Sequence, residues 1–169
     1  WNMRLFLRAD AVFFLGPFLS ISWLPDSVTV EYINNRRKEK NTFKKSKEPT
    51  FVIPGKVSLA LKDYEFVFKA ISRVVKEEVV SHFTVYLLGR LYSPEIVDMI
   101  KRYGIEEYVS YFTEFIPEST YKKLFKKAHS CIIPLYQDSV YGKYKISGAY
   151  GDAVAWGVPM ILPEWYGKG

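Results

Sequence analysis

One cysteine, one glutamine and two histidines are all that this 169-residue chain holds of those types, and each scarcity excludes something. A lone Cys131 rules out an intrachain disulfide and mildly favours a reducing compartment such as the cytosol. It falls in the apolar run Cys131-Ile-Ile-Pro-Leu135, where it reads as a small packed hydrophobe. His82 and His129 stand apart, with no metal-ligand spacing, so no metal site is expected. The apolar run from Ala11 to Leu24 is broken by Gly16-Pro17, and a bilayer span needs about 20 residues. No small-x-small cleavage site follows it, which argues against a secretory leader. There is no internal repeat, no G-x-G-x-x-G after a strand, no P-loop, no G-x-S-x-G elbow and no kinase signature. No cofactor is implied. Few Gln and Cys beside many Lys, Tyr, Val and Ile point to a thermophilic source.

What is present is a globular composition, 49% hydrophobic and 17% aromatic, long enough for one domain with a substantial core. The net charge of +6 is unevenly placed. Between Arg36 and Glu48 seven basic residues face two acids, leaving the rest of the chain close to neutral. Such a run reads first as a solvated loop, and second as an attraction to an acidic membrane surface or polyanion. The expected organisation is an N-terminal segment over 1–35, a basic loop or linker over 36–50, and a Rossmann-like domain over 51–169.

Within that domain the periodicity alternates. Strands are expected at Phe51–Pro54, Phe83–Leu88, Tyr108–Phe112, Ser130–Leu135 and Val158–Leu162. Helices are expected at Asp63–Val79, from an N-cap at Ser93 to Lys101-Arg102, at Ser119–Ala128 and at Ser147–Trp156. Two further extended pieces, Ala11–Leu15 and Val28–Ile33, precede the basic run. Strands alternating with helices mean an α/β fold, a parallel sheet with helices on both faces.

Three stretches carry chemistry. Pro54-Gly55-Lys56 to Lys62 joins a strand to a helix, with a glycine at the strand's carboxyl end and two lysines flanking the loop, a possible diphosphate cradle. In the second, Ser147 and Gly148 open a helix that carries one acid, Asp152, in an otherwise apolar sequence. An acid one turn behind a helix tip suits ribose hydroxyls, although a capped packing helix with a solvated Asp fits as well. The third, a loop with Tyr136, Tyr141, Lys143, Tyr144 and Lys145, is either a surface loop or an aromatic and basic sugar contact.

The run Gly151-Asp152-Ala153-Val154-Ala155-Trp156-Gly157-Val158-Pro159-Met160-Ile161 resembles the "E-A-M-A-x-G-x-P-V-I" signature in the C-terminal half of retaining GT-B glycosyltransferases. The likeness covers about Phe51 to Leu162. It implies a nucleotide-sugar-binding half, with Asp152 in place of the family's Glu on the donor ribose. Lys56 and Lys62 match the two cations of the "G-R-x(5)-K-G" loop that binds diphosphate, and Gly89 matches part of "V-G-x-G". The family's other acid, eight residues before Asp152, falls on Tyr144. Lys143, Tyr144 and Lys145 would face the transferred sugar. Gly55, Lys56, Lys62, Gly89, Ser147, Gly148 and Asp152 would hold the donor, while no residue can be named as catalytic.

The implied activity is hexose transfer from a nucleoside diphosphate sugar to a saccharide or lipid-linked acceptor. The setting would be cytoplasmic or membrane-associated, with no nucleic acid as partner. Transfer by the isolated chain is not expected, because the acceptor half is not recognised in it. A non-catalytic nucleotide-binding or scaffolding module is the alternative, and a membrane- or polyanion-binding module is the third reading.

Overall fold

The computed structural model describes the backbones of two short strands, β1 (Ala11–Phe14) and β2 (Thr29–Tyr32), and residues 47–78, 80, 82–141 and 145–166. Lys143, Tyr144, residues 36–46 of the basic run and the N-terminal segment outside β1 and β2 lie outside the described residues. β1 and β2 pair in parallel as a sheet of their own.

The remaining strands form one parallel sheet: β3 (Thr50–Pro54), β4 (Thr84–Arg90), β5 (Val109–Phe112), β6 (Ser130–Ile132) and β7 (Met160–Ile161). Their order is β5-β4-β3-β6-β7. Successive strands therefore run outward from β3 in one direction, and from β6 onward in the other. The order therefore reverses between β3 and β6, and open α/β sheets generally take ligands outside the carboxyl ends of the strands at such a point.

Four helices cover the sheet: α1 (Tyr64–Lys76), α2 (Glu95–Tyr103), α3 (Glu118–Lys127) and α4 (Gly148–Trp156). Alternation along the strands assigns each face its own core. Ile53, Val85 and Leu87 pack with Tyr64, Phe68 and Ile71 of α1 and Ile96 and Ile100 of α2. Val52, Leu88 and Cys131 turn the other way, against Phe125 of α3 and Ala149 and Ala153 of α4. A central strand buried on both faces needs apolar residues at consecutive positions, which Val52 and Ile53 supply.

Three helix ends follow from local chemistry. Asp63 caps α1, its Oδ1 accepting from the Phe66 N–H at 2.9 Å. Gly104 and Gly157 close α2 and α4 in the left-handed conformation, at φ 64° and 62°. Ser93, expected to cap α2, instead turns its hydroxyl away and accepts from the Leu59 N–H at 3.1 Å. Ser147 occupies the N-cap of α4 but makes no side-chain capping bond. α1 stops at Lys76, short of Val79, and Glu78 adopts φ 51° just beyond its end. β6 is shorter than its apolar run because Pro134 has no N–H to give to the ladder.

Candidate functional site

β3 ends in a turn that only glycine allows. Gly55 has φ +89°, and its N–H donates to the Leu88 carbonyl at 3.0 Å. Gly89 lies directly against it: a Cβ there would come within 2.1 Å of the Gly55 carbonyl oxygen. The pairing of β4 with β5 also shifts register between Leu87 and Arg90, around this glycine. The loops after β3 and β4 are then tied together. Val57 N–H donates to the Arg90 carbonyl at 3.1 Å, and Tyr92 N–H donates to the Val57 carbonyl at 2.9 Å. Gly55 and Gly89, singled out separately in the sequence, are two halves of one contact.

Lys62 closes the same turn from inside. It is only 5% exposed, and its ammonium donates to the Pro54 carbonyl at 2.7 Å and the Lys56 carbonyl at 2.9 Å, on either side of Gly55. Burial pushes the amine down to about 8, with the nearby Cys131 pulling weakly the other way. The Cys131 thiol, fully buried in β6, is pushed up to about 12 by the same desolvation, which the Lys62 charge partly opposes. One residue on, the Asp63 N–H donates to the Pro134 carbonyl at 2.7 Å. The start of α1 is thereby bonded to the segment leaving β6, across the point where the strand order reverses.

Asp152 lies in α4 on the far side of that point. Its Oδ2 accepts from the Tyr121 hydroxyl of α3 at 2.9 Å, and the group is half-buried. Burial first, and the Asp152 carboxylate second, hold the Tyr121 phenol well above its ordinary range, so it remains a donor. α4 begins after a β6 tail that leaves the carboxyl end of the sheet, so its N-terminus faces the ligand side. Its first turn contains no acidic residue, and Gly148 opens onto free space. The first amides of a helix have no intrahelical acceptors, which leaves this end receptive to an anion.

Lys145 is exposed and bonded through its backbone N–H to the Val140 carbonyl at 3.1 Å. Two features escaped the sequence reading. Tyr121 lies in the expected helix Ser119–Ala128, and nothing in its spacing tells that its hydroxyl reaches Asp152. Tyr92 was not marked at all: it is 53% exposed, with Lys56 Nζ 5.4 Å and Arg90 Cζ 5.7 Å from its ring centroid.

A concavity of about 420 Å³ lies beside the start of α1, at the ends of β6 and β7, lined by Asp63, Phe66, Leu135, Tyr136, Leu162 and Trp165 among others. Gly55, Lys56, Ser147 and Asp152 are not among the residues that line it. Among the described residues no three His, Cys, Asp or Glu side chains gather to hold a metal ion, and no helix is long and apolar enough to cross a membrane. No protein-family model matches the chain, and no curated protein is significantly similar to it.

Proposed function

We propose that the chain binds the nucleoside diphosphate part of a nucleotide sugar at the carboxyl end of its sheet, as the donor-binding half of a hexosyltransferase. One observation carries the reading: a glycine turn bearing Lys56 and a helix N-terminus free of acids follow the two strands between which the strand order reverses. The turn and the helix tip would take phosphate, and the Asp152 oxygen that does not accept from Tyr121 would take a ribose hydroxyl. As the glycosidic bond breaks, negative charge collects on the departing diphosphate, and fixed positive groups at that point lower the barrier. The acceptor would be a saccharide or a lipid-linked sugar.

A non-catalytic nucleotide-binding module is the second reading. It is favoured by Lys62 and Asp152 already being bonded within the protein.

Calorimetry with UDP, GDP and ADP sugars is expected to give a binding heat with one of them. Asp152→Asn keeps an acceptor for Tyr121 but removes the charge, so affinity should fall at least tenfold, about 1.4 kcal/mol, while the melting temperature moves little. If none of the three nucleotide sugars binds, the reading is wrong. An Asn variant that melts early yet binds normally would reduce Asp152 to a packing residue.

A further inference from the structure

We propose that Arg90, held with Lys56 against Tyr92, is the second cation of the diphosphate clamp, a role that the spacing of the two lysines had given to Lys62. The proposal rests on the nucleotide-sugar reading for its ligand, but its geometry is independent of it. Lys62 spends its ammonium on two backbone carbonyls and is almost wholly buried, so it points away from any ligand outside the sheet. Arg90 and Lys56 do the opposite. Both are exposed at the carboxyl ends of adjacent strands, and both converge on one exposed tyrosine ring.

Among the described residues neither cation has a carboxylate partner. The ion pairs found among the described residues join Lys69 to Glu65, Arg73 to Glu77 and Lys122 to Glu118. Two like charges brought to one ring repel each other, and an anion between them removes that repulsion. Cation–π contact with Tyr92 fixes where each side chain rests without neutralising it. Arginine adds what the lysine lacks, a planar fork that meets two phosphate oxygens at once.

The backbone beneath the pair is rigid. Gly55 and Gly89 touch, Val57 and Leu91 form a bridge, and the Val57 N–H donates to the carbonyl of Arg90 itself. The backbone segments that carry the two cations are therefore bonded to each other, which reduces the ordering cost of binding. The chemical class that fits is a diphosphate, free or esterified.

The test uses the whole chain with two probes, inorganic pyrophosphate and the three nucleotide sugars, titrated at low and moderate salt. Pyrophosphate should bind the wild type and weaken as salt rises. Arg90→Ala should lower its affinity at least tenfold, Arg90→Lys should recover part of the loss, and Lys101→Ala on α2 should change nothing. Melting temperatures of the Arg90 variants should match the wild type, because the guanidinium lies on the surface. Wild-type affinity for pyrophosphate in Arg90→Ala would overturn the clamp, as would its failure to bind the wild type. Loss of pyrophosphate binding in Arg90→Ala, with no nucleotide sugar bound by any variant, would uphold the clamp and sink the nucleotide-sugar reading. Nucleotide-sugar binding that ignores Arg90→Ala would do the reverse.

Discussion

Replacing Lys62 by Met tests the interior of the site through pH. In the folded chain the amine is displaced from 10.5 to about 8 by burial. At about 1.4 kcal/mol per pH unit, that displacement amounts to about 3 kcal/mol. Below pH 8 the amine is charged in both states, and the desolvation penalty is fully present. Between pH 8 and 10.5 the unfolded chain keeps the proton and the folded chain releases it, so stability rises with pH. Above 10.5 the gain is complete.

Lys62→Met lacks this rise. At neutral pH the variant loses two hydrogen bonds from a charged donor, about 1.5–3 kcal/mol each, but also escapes the penalty of about 3 kcal/mol. Its net deficit should therefore be about 0–3 kcal/mol at pH 7.5 and widen by about 3 kcal/mol at pH 10.5. Cys131 would blur the result, since a thiol raised to about 12 costs stability as pH climbs past its ordinary value. The comparison is therefore made with Cys131→Ala in both proteins. Urea unfolding followed by circular dichroism at four pH values gives the free energies. Parallel curves for the two proteins would refute the reasoning and mean that the Pro54 and Lys56 carbonyls fully offset the burial of the charge.

Two further substitutions probe the frame. Gly89→Ala drives a methyl to 2.1 Å from the Gly55 carbonyl oxygen, backbone against backbone, and should cost about 3 kcal/mol or more in urea unfolding and weaken pyrophosphate binding with it. A variant as stable as the wild type would mean that the two loops are not in contact. The Tyr64 hydroxyl is fully buried with no hydrogen-bond partner among the described residues, so Tyr64→Phe should stabilise the chain by about 1 kcal/mol, and a clear loss of stability would reveal a partner for it.

Local chemistry made much of the fold legible. The five strands and four helices of the main sheet follow their expected order because period-two and period-3.6 apolar patterns reflect which backbone can bury them. Gly104 and Gly157 close two helices for a reason internal to the residue, the left-handed conformation that a Cβ disfavours. Serines were less reliable guides. The hydroxyls of Ser93 and Ser147 have short reach and several nearby amides to choose from, and neither caps its helix.

The sequence by itself determined the alternation of elements, the turn at Gly55 and the helix that carries Asp152. Each depends on residues within a few positions of one another. Tertiary structure alone decided which groups meet: Gly89 against Gly55, Tyr121 on Asp152, Lys62 turned inward onto two carbonyls, and Arg90 brought beside Lys56 over Tyr92. Those meetings span 31 to 36 positions of chain, from Asp152 back to Tyr121 and from Tyr92 back to Lys56, apart from the local bonds of Lys62. They exist because parallel pairing sets β3 beside β4 and β6, and crossover helices then fix which loops share the carboxyl edge. Spacing along the chain shows that two lysines flank a loop, but only the packing of that loop decides which of them faces water.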